Sequence, residues 1–178
     1  MLRIACLALL APVAAAAQPA DPLDYDADRI EAVQGVFCEV PTTGQTEAPG
    51  TVAGHIELFE RIPEFQWLTH VVPAVPGLSF GVKTEATDGT VYGSVVLTLT
   101  HPRFAQSGAT AQTYVTMLGG ASESINAYTF DTEEELAVGT WSFTATQNGE
   151  VLYSALFEVV PPEAAPEIAS ACGGMPIS

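Results

Sequence analysis

Basic side chains are scarce in this chain: 5 lysines and arginines stand against 21 aspartates and glutamates, a formal charge of −16 over 178 residues. A field of that sign repels phosphate backbones and anionic lipid, which argues against nucleic acid and membrane surfaces as partners. Its plain physical role is to keep an exported domain soluble. Cysteine is nearly as sparse, with 3 residues and no C-x-x-C pair. Neither a clustered-thiol metal site nor a redox motif can be built from that. Histidine is limited to His55, His70 and His101, far apart in sequence. Long helical periodicity is missing as well, and so is any apolar run of the roughly 20 residues that a transmembrane helix needs.

What is present begins with a leader. MLRIACLALLAPVAAAA places one arginine ahead of an apolar run and closes on small side chains, the layout of a cleaved secretory signal over residues 1–17. Pro12 interrupts the run, Ala15 and Ala17 fit the A-x-A rule, and cleavage is expected after Ala17. Cys6 lies inside the apolar run, not just after it, so it is not a lipid-anchor cysteine. Loss of Arg3 with the leader leaves 4 cationic against 21 anionic side chains, a net charge of −17 on 161 residues. That length suits one domain with its own core.

Cys38 and Cys172 then remain, and Met117 and Met175 are too few for a methionine-rich copper site. In an oxidising compartment the simplest use of two cysteines is one disulfide; a catalytic or metal-binding thiol is the alternative. A bridge between them closes nearly the whole domain, and the loop-entropy relation gives about 4 to 5 kcal/mol as an upper figure. It would also tie back the tail over residues 161–178, which starts at Pro161-Pro162.

From Val33 onward the dominant signal is alternation. Trp141, Phe143 and Ala145 oppose Ser142, Thr144 and Thr146; Val95, Leu97 and Leu99 oppose Val96, Thr98 and Thr100. Period two means half-buried strands. Asn148-Gly149 favours a type I′ turn, because both central residues need positive φ, and it predicts a terminal hairpin in which Trp141 and Phe143 share a core with Ala155, Phe157 and Val159. Further strands are expected at residues 34–40, 51–60, 66–72, 78–86, 91–100, 112–118 and 124–131, about nine in all. Thr132 followed by Glu135 fits a capping box on a short helical turn. Residues 18–32 read as an acidic linker and residues 33–160 as the folded unit. The pattern predicts an all-β protein, an antiparallel two-sheet β-sandwich of about 8–9 strands, with a closed barrel as runner-up.

The order of the GVFC strand, LSFGVKTEA, a strand ending THPRF, and an acidic turn leading into GTWSFTATQNGEVLYSALFEVV resembles a family of secreted bacterial Ig-like proteins of uncharacterised function. The resemblance covers most of residues 33–160 and implies an Ig-like fold without an activity. Cys172 follows the last strand, so a Cys38–Cys172 bridge departs from the inter-sheet disulfide of antibody domains.

Several stretches invite a chemical reading. Gly77-Leu78-Ser79-Phe80-Gly81 matches the G-x-S-x-G elbow, but an alternating stretch follows it where a helix is required, and His101 is the only histidine downstream. An ordinary core strand with Ser79 facing out explains it better. Asp24, Asp26 and Asp28 open like a calcium loop, yet Arg29 and Gly35 stand where glycine and glutamate belong. His55 and Glu57 share a strand face, half of a transition-metal site or simply a wet face. The break His101-Pro102-Arg103-Phe104-Ala105-Gln106-Ser107-Gly108 joins an imidazole, a cation and an aromatic ring, and His101, Arg103 and Phe104 are taken as candidate binding residues. The alternative for that loop pairs Arg103 with a carboxylate and uses Phe104 as a plug. Phe65 and Trp67, within ERIPEFQWLTHVVPAVPG, form a second candidate surface that a filled core explains equally. The expectation is a non-enzymatic, periplasmic or extracellular domain that binds a protein or cell-envelope component through loops or an edge strand. No cofactor, metal or catalytic residue is assigned and no membrane insertion follows signal cleavage; a calcium- or transition-metal-linked module or minor hydrolase is the alternative.

Overall fold

A computed structural model describes residues 21–172; the leader, its cleavage point and Cys6 lie outside the described residues. Eleven strands follow one another: β1 Leu23–Tyr25, β2 Ile30–Cys38, β3 Thr42–Glu47, β4 His55–Phe59, β5 Val71–Pro73, β6 Leu78–Ala86, β7 Val91–Thr100, β8 Ala111–Gly119, β9 Ser124–Thr129, β10 Gly139–Gln147 and β11 Glu150–Val160. Short 3-10 turns lie at Glu133–Glu135 and Pro162–Ala164, and one helix, α1, spans Pro166–Cys172. The larger sheet runs β1-β11-β10-β7-β8, with β5 paired to the end of β11; the smaller runs β2-β6-β9; β3 and β4 form a separate hairpin. Among the described residues only the β5–β11 pairing is parallel. The architecture is an all-β, Ig-like sandwich.

The expected hairpin forms. Asn148 and Gly149 adopt φ of 53° and 86°, the left-handed pair that the type I′ turn demands. Trp141, Phe143, Ala145, Ala155, Phe157 and Val159 are all buried on the inner face of the larger sheet. From the smaller sheet Phe80 meets them, its ring centroid 5.0 Å from Phe157, 5.5 Å from Trp141 and 5.7 Å from Phe143 in edge-on contacts. Such pairs add about 0.5 to 1.5 kcal/mol each beyond the area they bury. This aromatic knot joins the two layers.

β6 departs from simple alternation because its outer face is covered too. Residues 60–70 cross the smaller sheet on the outside, where Phe65 lies directly over Gly35, which has no room for a Cβ. Phe65 and Phe37 rings are 6.0 Å apart, and Trp67 exchanges backbone hydrogen bonds with Val36. Ser79, expected to face out, is therefore buried, its hydroxyl 2.8 Å from that of Thr129. Lys83 sits on the same covered face, buried between Glu64 and Glu123 at 3.0 and 3.3 Å.

Other expectations need correction. The linker assigned to residues 18–32 contains β1 and the start of β2: Leu23 and Tyr25 pair with Ala155 and Tyr153, and Ile30 is fully buried. Residues 66–72 hold no full strand; Trp67 makes one isolated bridge and β5 begins only at Val71. β3 was not anticipated, since TTGQTE is exposed along its whole length and offers no buried face. The tail does fold back. Ile168 of α1 packs into the core, and Cys172 is bonded to Cys38 at the end of β2, with Cα atoms 5.0 Å apart.

Candidate functional site

The residues singled out from sequence are not brought together. Ser79 lies in the middle of β6, not at a strand-to-helix turn, and its hydroxyl partner is Thr129. Asp26 organises a tight turn: its carboxylate accepts the Asp28 N–H at 3.2 Å and pairs with Arg29 at 3.3 Å, while its carbonyl receives the N–H groups of Arg29 and Ile30. Asp24 is held in β1. Among the described residues no group of three or more His, Cys, Asp or Glu is arranged to hold a metal.

The loop at residues 101–108 is closed upon itself. His101 is buried, stacks on Phe104 at 3.8 Å between centroids and lies against Trp141 at 4.8 Å with the rings tilted by 32°. Its Nδ1–H donates to the Pro102 carbonyl at 2.9 Å, which leaves Nε2 to accept from the Gln112 amide at 3.4 Å. Burial lowers the His101 pKa, against the opposing pull of the Pro102 carbonyl and of Glu135 and Glu134. Phe104 is 1% exposed, so it is a plug and not a contact residue. Of the three candidates Arg103 alone is exposed, and it donates to the Gly108 carbonyl at 2.7 Å, with no carboxylate paired to it among the described residues. Glu134 closes the loop by accepting the N–H groups of Gln106 and Ser107, each at 2.9 Å. Of the three candidate binding residues, two are interior, because a break between strands here folds inward against Trp141. Phe65 and Trp67 are likewise committed to packing, as described for the outer layer; Leu68 beside them is 74% exposed.

A different place has the shape of a site. The edge strands β8 and β9 face each other across the open side of the sandwich, and their inward side chains are polar. Gln112 Nε2 donates to the Tyr128 hydroxyl at 3.3 Å, and the Tyr114 hydroxyl donates to Asn126 Oδ1 at 3.3 Å. Tyr128 donates onward to Glu135 Oε1 at 2.8 Å, while Glu135 Oε2 accepts the N–H groups of Asp131 and Thr132 at 2.7 and 2.8 Å. Thus the anticipated Thr132–Glu135 cap also anchors this seam. The buried Tyr153 hydroxyl lies behind Asn126 and is in hydrogen-bonding reach of its side chain. Burial pushes the hydroxyls of Tyr114, Tyr128 and Tyr153 far above the usual tyrosine range, so all three stay protonated.

Above the seam lies a cleft of about 380 Å³, floored by Tyr114, Asn126 and Tyr128 and walled on one side by β9 and on the other by the overhanging β4. That is within the ordinary range for ligand pockets. β4 contributes Ile56, Leu58 and Phe59 together with His55 and Glu57, whose side chains approach to 3.3 Å. Glu57 is held below the ordinary carboxylate range, first by hydrogen bonds from Thr42 and Gln45 and then by His55. At the same end, loss of solvation and then the neighbouring Glu135, Glu39 and Glu57 push the Asp131 carboxyl upward. His55 and Glu57 do share a face, as alternation required, but it is one wall of this cleft.

The edge of β9 is unpaired on the cleft side. The Phe130 N–H donates to the Leu78 carbonyl and the Phe130 carbonyl accepts from the Gly77 N–H, which turns the backbone groups of the even-numbered residues of this strand toward β6. Strand alternation then turns the N–H and C=O groups of Ile125, Ala127 and Thr129 into the cleft. β8 is partly covered at its start, where Thr113 N–H donates to Gly50 O at 2.9 Å. Sequence reasoning passed over Gln112, Tyr114, Asn126 and Tyr128; their signal was polar residues at the core-facing parity of two strands.

Comparison with known proteins places these observations. The family described as "Domain of unknown function (DUF3859)" matches residues 27–159. An immunoglobulin-like protein from Pseudomonas aeruginosa, known from its crystal structure, is similar to this chain with a TM-score of 0.51 and 19% sequence identity, covering 78% of this chain and 96% of that one. At that identity the likeness concerns the fold alone. No curated protein matches the sequence.

Proposed function

Since the chain belongs to the DUF3859 family of domains of unknown function, we propose that it is a non-enzymatic, exported binding domain that holds a protein or cell-envelope component through an exposed strand edge. The observation that carries this reading is the unpaired edge of β9, which lies open along the cleft. Natural sheets blunt open edges with lysine, proline, bulges or a covering element. β9, SINAYT, contains no charged residue and no proline, and neither does β8, AQTYVTMLG. An edge left open beside a cleft suits strand addition by an extended partner segment. The Cys38–Cys172 bond supports an oxidising compartment, where such bonds persist. Among the described residues no helix is long and apolar enough to cross a membrane.

Two experiments test the proposal. A photo-crosslinking residue placed at Ala127 in the exported protein captures a discrete partner in the cell-envelope fraction; capture no greater than from unirradiated controls refutes the binding role. N-terminal sequencing of protein recovered from that fraction begins at Gln18, and a mature chain beginning at Met1 refutes export by the leader.

A further inference from the structure

We infer that the cleft between β4 and β9 is a missing-strand site that accepts an extended polypeptide carrying a lysine or arginine toward Asp131. The inference rests on the binding role proposed above and specifies its site and ligand chemistry. Three observations carry it.

The first is backbone geometry. Ile125, Ala127 and Thr129 all line the cleft, and theirs are the backbone groups that β6 leaves unpaired. β4 on the opposite wall is paired to β3 alone. An extended segment entering between the two would add to β9 as a fourth strand of the smaller sheet, beneath the β3–β4 hairpin. Six residues of β9 run along the cleft, roughly 20 Å at the usual strand rise.

The second is charge. The lining holds Glu57, Glu123, Asp131 and Glu135 against His55 as the only base. Glu123 is committed to Lys83, and both oxygens of Glu135 are taken by Tyr128, Asp131 and Thr132. Glu57 is held by Gln45 at 2.6 Å and by His55. Asp131, among the described residues, accepts no hydrogen bond and is exposed at the mouth, two residues past the end of β9. A cation there would meet a carboxylate of the lining that accepts no hydrogen bond among the described residues, and the excess of 21 acidic over 5 basic side chains steers a basic segment toward the domain.

The third is a polar floor. Asn126 is 3% exposed and lines the cleft beside Tyr114, whose hydroxyl donates to its Oδ1 at 3.3 Å, so hydrogen-bonding side chains and not a sealed apolar seam lie beside the edge of β9. Apolar side chains of Ile56, Leu58 and Ile62 line the remainder, which fits a segment of alternating apolar and basic residues.

The test uses the full mature protein and blocked peptides of about eight residues, the length of one strand. One peptide alternates valine with lysine and the other valine with glutamate. At low salt the lysine peptide is expected to bind at least about tenfold more tightly than the glutamate peptide, with the preference shrinking as salt screens it. Binding is expected to slow amide exchange at Ile125, Ala127 and Thr129, and N-methylation of alternate peptide amides to abolish it in one register only. Asp131→Asn, at an exposed side chain, is expected to reduce the preference for lysine without changing the melting temperature. Equal affinity for both peptides, no saturable binding of the lysine peptide, or protection confined to β8 each overturns the inference. A partner captured by crosslinking whose contacts fall on β8 or on the 101–108 loop leaves the binding role standing and removes this site.

Discussion

Replacing both Cys38 and Cys172 by alanine removes a constraint whose size can be worked out from chain geometry. The bond joins residues separated by 134 positions, so the unfolded chain loses one long loop's worth of freedom, about 5 kcal/mol by the loop-entropy relation. For a domain of this length each kcal/mol moves the melting temperature by about 2 to 4 °C, so a fall of roughly 10 to 20 °C is expected. A second readout identifies the mechanism. If the bond acts on the unfolded ensemble, its removal lets that ensemble expand, and the slope of unfolding free energy against urea rises while the midpoint falls. If it acts only by holding α1 against β2, the loss is limited to the seven-residue helix and the contact of Ile168, and the slope stays unchanged. Urea titrations of the wild-type and double-alanine proteins, followed by tryptophan fluorescence, separate the two. A melting shift below about 4 °C, or a lowered midpoint at constant slope, refutes the unfolded-state argument.

His101 carries a pH dependence of definite sign: its folded pKa lies below the ordinary 6.5, so its contribution is present above that value and is lost as pH falls toward the lower folded pKa. The wild type is expected to lose more stability than His101→Phe between about pH 7.5 and about pH 5.5, and parallel urea midpoints for the two proteins count against the buried neutral imidazole. Gly81→Ala drives a Cβ into the Asn126 carbonyl and to 2.6 Å from the Ala127 Cα, so it is expected to prevent folding; a soluble variant with wild-type circular dichroism contradicts the close β6–β9 approach. Lys83→Met keeps the stem volume and removes a buried charge, and is expected to be near neutral in stability, whereas Glu64→Ala with Glu123→Ala strands the ammonium at a cost of about 1 to 3 kcal/mol. A methionine variant less stable than the double alanine reverses that argument. Because like charge keeps copies apart, raising salt until the screening length falls to about 3 Å is expected to promote self-association detectable by light scattering; a monomer at all salt concentrations shows that the β3–β4 hairpin guards the edges sterically.

Much of the sandwich was legible because alternation is a local signal. The spans expected for β6 and β7, residues 78–86 and 91–100, coincide with those observed, and Asn148-Gly149 fixed the last hairpin. Short or exposed elements stayed hidden. β1 is three residues long, too short for its alternation of Leu23 and Tyr25 against the core to stand out, and β3 is exposed throughout. The loop at 101–108 was legible in part: Phe104 is the plug that one reading of the loop gave, whereas Arg103 bonds to the Gly108 carbonyl and not to a carboxylate, and nothing local announces that His101 turns back onto Trp141. Strand order is a tertiary property, so the sequence could mark β8 and β9 as strands without marking them as edges.

The cleft follows from how the open side of the sandwich is closed. An apolar seam between β8 and β9 would bury more surface at about 25 cal/mol per Å², yet this chain puts glutamine, tyrosine and asparagine there. Polar groups in such a position contribute little net stability and are costly when unmatched. The same substitution of polar for apolar side chains keeps the seam wet enough to admit a hydrogen-bonding strand, which a sealed hydrophobic seam could not do. Acidity would complete the proposed arrangement: a chain with 21 carboxylates and 5 cations presents like charge to its own copies, and the basic segment we propose would be drawn toward it. Edge protection by long-range charge discriminates between partners by sign, whereas protection by proline or a bulge excludes every strand alike.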